Sequence, residues 1–267
     1  MLKFISFGSG SSGNCYYLFT DKEGILIDTG VSQRMLKKYF HQYGLPLNHV
    51  HHILITHDHA DHIKAVGSLS GDLDIPVYAT KDVHAGITDN YCIHRNIKTE
   101  NKRFVEKNIP FQLGDFSITP FDVPHDSSDN VGYRIECEGV VFCLMTDIGH
   151  VTEEMKKYVG EANYLIIESN YDVEMLASGT YPEHLKKRIM GTEGHLSNRE
   201  CAETIAANAT EKLRRVWLCH LSEENNHPEL ARKTVEQALR SYGIIAGVEF
   251  NLDILKRKIP SEIFTLV

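Results

Sequence analysis

Ile53-Leu54-Ile55-Thr56-His57-Asp58-His59-Ala60-Asp61-His62 is the stretch on which the reading of this 267-residue chain turns. Its aliphatic start has the residue types of a short buried strand. Four residues able to ligate a metal, His57, His59, Asp61 and His62, then fall within six positions. Residues two apart on an extended chain project to the same side, so His57 and His59 can converge on one ion. A turn after them lets Asp61 and His62 face a second ion. Imidazole nitrogens with a carboxylate suit zinc, manganese or iron, whereas magnesium and calcium call for more oxygen ligands. A fortuitous histidine-rich loop is the alternative, and the density of donors directly after a strand argues against it.

Outward from this stretch, short apolar runs alternate with helical patterns. LKFISF, CYYLF, GILIDT, HHILIT, PVYAT, FSITPF, VGYRIEC, VVFCLM, NYLIIES and RRVWLC read as strands, rich in β-branched and aromatic residues. VSQRMLKKYFHQYG reads as an amphipathic helix ending at Gly44, with further helices near 152–159, 182–190, 198–210 and 228–241. Ser197 followed by Glu200 has the form of a capping box. No linker or low-complexity segment divides the chain, so one domain over 1–267 is expected, of α/β or α+β class.

Composition narrows the function classes. The chain is 42% hydrophobic and 24% charged, which is ordinary for a folded protein and argues against disorder. No apolar run is long enough to cross a bilayer and the N-terminus lacks a sustained apolar leader, so a cytoplasmic location is expected. Six scattered cysteines without a CxxC pair read as buried free thiols rather than a zinc finger. A net charge of −8 does not mark an all-over nucleic-acid binder. Lys186-Lys187-Arg188, Arg214-Arg215 and Lys256-Arg257-Lys258 read as solvated faces. Bound cations dominate their local field, however, so a metal-rich cleft can attract phosphates even on an acidic protein.

The run His57-x-His59-x-Asp61-His62 resembles the HxHxDH signature of the metallo-β-lactamase superfamily. That resemblance implies a four-layer αββα sandwich with a dinuclear site at one edge of its sheets. It also implies ligands at later strand ends, and His125 in FDVPHD, Asp147 in MTDIG and His220 in WLCHLS occupy such places. One metal would take His57, His59, His125 and Asp147; the other would take Asp61, His62, Asp147 and His220. Asp28 in ILIDTG also matches a family position, where it would orient the histidine loop by accepting a hydrogen bond; Asp58 and Glu168 are further supporting candidates.

Asp147 stands where the zinc β-lactamases use cysteine, which points away from antibiotic hydrolysis. His220-Leu221-Ser222 is similar to the motif of the phosphodiesterase branch, and Gly194-His195-Leu196-Ser197 resembles the histidine segment that contacts the scissile phosphate there. The N-terminal turn Ser9-Gly10-Ser11-Ser12-Gly13-Asn14 can form an anion-binding concavity from backbone N–H groups and hydroxyls. Ser197, Asn225 and Asn226 are further candidates for substrate contact. Together these segments resemble the YycJ/WalJ branch, which implies a 5′-to-3′ DNA exonuclease linked to repair, with RNA as the alternative substrate. Asp61, Asp147 and His195 would then be the catalytic groups, the two aspartates orienting a hydroxide between two divalent ions, zinc or manganese or else iron. Neither a β-CASP cap nor a tRNase exosite arm is evident. A glyoxalase II-type thioesterase uses nearly the same ligands, and a non-catalytic metal sensor is a third reading; oligomeric state is left open.

Overall fold

Both the strand runs and the amphipathic helices are realised in the computed structural model, which describes residues 1–267. In chain order the elements are β1 (Leu2–Gly8), β2 (Cys15–Phe19), β3 (Gly24–Ile27), α1 (Gln33–Gln42), β4 (Val50–Leu54), α2 (Ala60–Ile63), α3 (Val66–Leu73), β5 (Val77–Ala79), α4 (Lys81–Asp89), β6 (Lys102–Phe104), β7 (Phe111–Leu113), β8 (Phe116–Asp122), β9 (Val131–Cys137), β10 (Val140–Met145), α5 (Glu153–Glu161), β11 (Tyr164–Glu168), α6 (Val173–Ser178), α7 (Glu183–Ile189), α8 (Asn198–Asn208), β12 (Arg215–Cys219), α9 (Pro228–Ser241), β13 (Asn251–Ile254) and β14 (Phe264–Leu266).

The chain forms two compact units. One comprises Met1–Pro120, Ser127–Val131 and Lys256–Val267; the other comprises Phe121–Asp126 and Gly132–Leu255. In the first unit the sheet runs β14-β1-β2-β3-β4-β5-β6, with β3 to β6 mutually parallel. Its core packs Leu36 and Phe40 of α1, Leu69 of α3 and Val83 of α4 against Phe7, Tyr17, Leu26 and Ile53 of the strands. The second sheet runs β13-β12-β11-β10-β9-β8-β7, with β10 to β13 mutually parallel. In the second unit Met155 of α5, Cys201 and Ile205 of α8 and Val235 of α9 pack on Cys143, Leu165, Ile167 and Leu218. The class is therefore mixed α/β with two helix-flanked sheets. Parallel pairing has a direct consequence for chemistry: the carboxyl ends of neighbouring strands fall along one edge of each sheet, where such sheets carry ligands.

Several elements escape the sequence pattern. α4 opens on a Thr80 cap, and β6, β7, β13 and β14 are too short for a period-2 signal. α3 contains Gly67 and Gly71, which lower helix propensity and hide it. The glycine at 67 is demanded by packing, since a Cβ there would lie 1.6 Å from the Arg95 carbonyl oxygen. Five cysteines are buried as expected, but Cys92 is only half-buried. In the cluster at 186–188, Lys187 and Arg188 are exposed as expected, whereas Lys186 is not. Lys186 is buried with its ammonium on the Ala177 carbonyl (2.7 Å), and Arg188 pairs with Asp126 beside His125.

Replacing glycine by alanine in an open helix stabilises it by roughly 0.5–1 kcal/mol. Gly67→Ala is expected to do the opposite, lowering stability by about 1–3 kcal/mol through overpacking against the 95–96 backbone, as read by the urea midpoint.

Candidate metal centre

In the first unit the site grows from the ends of β3 and β4. Asp28 follows β3 directly, is fully buried and accepts three hydrogen bonds, from Thr56 N (2.8 Å), Thr56 Oγ1 (2.9 Å) and His62 Nδ1 (2.7 Å). Having donated its hydroxyl proton to Asp28, Thr56 Oγ1 accepts from His57 Nδ1 at 3.0 Å. One carboxylate thus fixes the tautomer of two histidines and turns both Nε2 atoms the other way. The chain stays extended through His59, which leads into α2, so Asp61 and His62 stand on the first helical turn. The His57 ring centroid lies 4.8 Å from that of His59 and 4.0 Å from that of His62, with Asp61 Oδ2 3.6 Å from His62 Nε2.

Backbone contacts lock this loop in place. Thr29 N donates to His62 O (2.7 Å) and Asn14 N to Asp61 O (2.8 Å). Gly30 is what allows that approach, because a Cβ on it would sit 1.6 Å from Asp61 O. Asp58 points away from the histidines and accepts from Ser128 N (3.2 Å) and Ser128 Oγ (2.6 Å), tying the loop to the 127–131 segment.

In the second unit the ends of β10, β11 and β12 deliver Asp147, Glu168 and His220. Candidate ligand atoms of these three and of His195 all lie within 4.8 Å of one another. Glu168 organises the group. Its Oε1 accepts from His195 Nδ1 (2.9 Å) and His220 Nδ1 (2.8 Å), and its Oε2 accepts from Ile148 N (2.8 Å) and Leu196 N (3.0 Å). Burial pushes the Glu168 carboxyl up, but the charge of His195 and the hydrogen bonds from both histidines outweigh it, so it is held well below the usual carboxylate range. His125 donates from Nδ1 to Gly194 O (2.9 Å), which leaves its Nε2 3.7 Å from Asp147 Oδ1. Asp147 Oδ1 is 3.3 Å from His220 Nδ1, and its Oδ2 accepts from Thr146 Oγ1 (2.8 Å).

Three of these strand-end residues share a backbone feature. Asp28 (φ 59°), Asp147 (φ 55°) and His220 (φ 53°) are all left-handed. That conformation costs a non-glycine residue on the order of 1–3 kcal/mol and persists where its surroundings impose it. For His220 the restraint is Asn170, whose Nδ2 donates to the His220 carbonyl at 2.8 Å. Thr56, Gly30 and Asn170 were not singled out by their residue type; a threonine before the first histidine and a glycine two after Asp28 are the only local signs of them.

The proposed substrate contacts divide by exposure. Ser11 and Ser12 are exposed, whereas Ser9, Gly10, Gly13 and Asn14 are buried. Asn14 is turned inward, its Nδ2 2.9 Å from His62 Nε2 and its Oδ1 accepting from Gly10 N (2.7 Å). Ser197 caps α8 in the expected capping box with Glu200. Asn226 is buried and donates to Ser169 O and Asn170 O, both at 2.9 Å, so it braces the loops carrying Asn170 and His220; Asn225 is buried beside it.

The donor chemistry of both sets, imidazole and carboxylate with buried carboxylates behind the imidazoles, fits divalent metal ions. Asp28→Asn is expected to weaken metal binding about 10–100-fold in a chelator competition, because the His62 proton loses its anionic acceptor. Glu168→Gln is expected to lower the melting temperature of the metal-free protein. The depressed carboxyl also has a pH signature. Its contribution is present above the ordinary value of 4.5 and is lost as pH falls through the folded-state value, so stability below pH 4.5 drops more steeply in the parent than in Glu168→Gln.

The β-lactamase superfamily domain matches residues 24–221. Exodeoxyribonuclease YycJ of Bacillus anthracis is 37% identical over 264 residues, covering 98% of each chain. Exodeoxyribonuclease WalJ of Streptococcus pneumoniae is 34% identical over 250 residues, 94% of this chain and 93% of its own. Among solved structures, the metallo-β-lactamase fold protein YhfI of Bacillus subtilis superposes with a TM-score of 0.72 at 17% identity, covering 97% of this chain and 98% of that one. With the strand-end histidines and carboxylates described above, these similarities show that the chain belongs to the β-lactamase superfamily, in its YycJ/WalJ exodeoxyribonuclease branch.

Proposed function

We propose that this protein is a 5′-to-3′ DNA exonuclease that hydrolyses phosphodiester bonds with two divalent metal ions and serves DNA repair. The observation that carries the reading is the pairing of His195 and His220 on one carboxylate, Glu168, beside Asp147. His220 would serve as a ligand, and His195, part-exposed and oriented by Glu168, would meet substrate. The names of the relatives at 34% and 37% identity support nucleic acid, and DNA over RNA.

His57, His59, His125 and Asp147 would hold one ion, and Asp61, His62, Asp147 and His220 the other. Bound there, two divalent ions would supply positive charge that lowers the pKa of water and offsets charge developing on the phosphoryl oxygens. Asp61 and Asp147 would orient the attacking oxygen in line with phosphorus, opposite the leaving 3′ oxygen. His195, its Nδ1 proton held by Glu168, presents Nε2 to the phosphate or delivers a proton from that atom to the departing oxygen. The product carries a 5′ phosphate. Ser11 and Ser12 are exposed to meet a neighbouring phosphate.

His195→Ala is expected to keep the full metal content and lose activity on 5′-phosphorylated duplex DNA by about 10²–10⁴-fold. Asp147→Ala is expected to lose both metal and rate, read by elemental analysis and nuclease assay on one sample. Hydrolysis of a glutathione thioester without any DNA cleavage by the parent would replace this reading with the thioesterase one.

A further inference from the structure

The first unit carries a basic groove next to its Gly/Ser turn, although the chain as a whole has a net charge of −8. The groove has a volume of about 300 Å³; Ser12, Lys64, Arg257 and Lys258 line it together with the apolar Phe7, Val31 and Met35. No acidic side chain lines it, whereas another cleft in the same unit presents Asp58, Asp82 and Asp89. The cations arrive from segments far apart in the chain. Lys64 caps the end of α2, and Arg257 and Lys258 come from the C-terminal return. The sequence alone gave Lys256-Arg257-Lys258 the reading of a solvated face; the fold brings two of the three to a concave surface.

Those cations are held on a pinned backbone. Ser9 N donates to the Lys256 carbonyl (3.2 Å) and Tyr39 Oη to the Lys258 carbonyl (3.2 Å), so the chain is fastened on both sides of Arg257. Gly10, with φ 150°, lets the Arg257 side chain lie across the turn, since a Cβ there would be 3.0 Å from Arg257 Cγ. The groove also shares its framework with the metal-ligating loop. Gly13 precedes Asn14, which holds the Asp61 carbonyl at 2.8 Å, and Lys64 follows His62 by two residues on α2. The backbone that carries these cations is therefore tied to the turn that holds the Asp61 backbone. Binding to a preformed groove loses less entropy than ordering mobile side chains, which favours a ligand of matching charge.

Resting on the nuclease reading, we propose that Lys64, Arg257, Lys258 and Ser12 bind a backbone phosphate of the nucleic-acid strand other than the one being hydrolysed. A strand offers one such charge about every 3.4 Å along the duplex axis, so holding one phosphate beside the ligand loop sets the register of the next. The two lysines act as point charges, and the arginine fork matches two phosphate oxygens.

The test uses the metal-loaded full chain and a cleavage-resistant phosphorothioate single strand, with affinity measured across a salt series. Arg257→Ala/Lys258→Ala is expected to bind about 10-fold or more weakly and to lower the slope of log affinity against log salt by about 1.4, two contacts at about 0.7 each. Lys64→Gln, a change at an exposed position, is expected to lower it by about half as much. A melting temperature equal to that of the parent establishes that each variant is folded. Strands bearing a 5′ phosphate or a 5′ hydroxyl separate the two sources of the group: equal losses assign an internal phosphate, and a loss confined to the phosphorylated strand assigns the terminal one. Unchanged affinity and slope in both folded variants overturn the proposal. A parent that binds DNA through these cations yet cleaves none would instead sink the nuclease reading and leave the groove standing.

Discussion

A buried carboxylate behind a pair of histidines is the interaction on which the chemistry of each unit depends. Imidazole offers two nitrogens, and a metal or a phosphate can be met only by the one that is correctly protonated and correctly aimed. Asp28 settles this for His57 and His62, and Glu168 settles it for His195 and His220. Each carboxylate is itself held by backbone N–H groups, Thr56 N for one and Ile148 N and Leu196 N for the other. An ionised acid with no water around it is costly unless every lone pair is met, and here the donors that meet it are the site.

Parallel strands explain why the donors collect where they do. A strand ending in the core delivers its next residue to the sheet edge, and a left-handed residue there turns the chain sharply enough to aim a side chain along that edge. Asp28, Asp147 and His220 each take that conformation. The strain is sustained by short backbone contacts, such as Asn170 on the His220 carbonyl and the approach of Asp61 to Gly30. The stable parallel cores thereby hold polar residues in an arrangement that an isolated loop would relax.

Much of this was legible in the sequence because it is written locally. The run from Ile53 to His62 combines a strand pattern with ligand spacing, and each later ligand directly follows an apolar run. The α8 cap was readable from Ser197 and Glu200 because a capping box is a four-residue code. What stayed hidden depends on contacts between remote segments. Gly67 lowers the helix signal of α3 for the sake of the Arg95 carbonyl, and the Gly30 requirement exists only because the Asp61 backbone comes to it. Asn14 and Asn226 have the residue type of substrate contacts, but their side chains are turned to bracing the interior. Burial separates those roles, and burial is not a local property. For the same reason the basic triplet at 256–258 gave no sign that it returns to the N-terminal turn.

That return bears on how the chain reaches its native state. β14 pairs with β1, matching Leu2 with Leu266, and Ser261 exchanges hydrogen bonds with Ser6. Without β14, the outer backbone groups of β1 form an open edge that invites pairing with another chain. Contacts of such sequence separation are slow to form. β14 thus works as a seal on β1, and loss of the β14 pairing would turn an interior strand into a site for self-association.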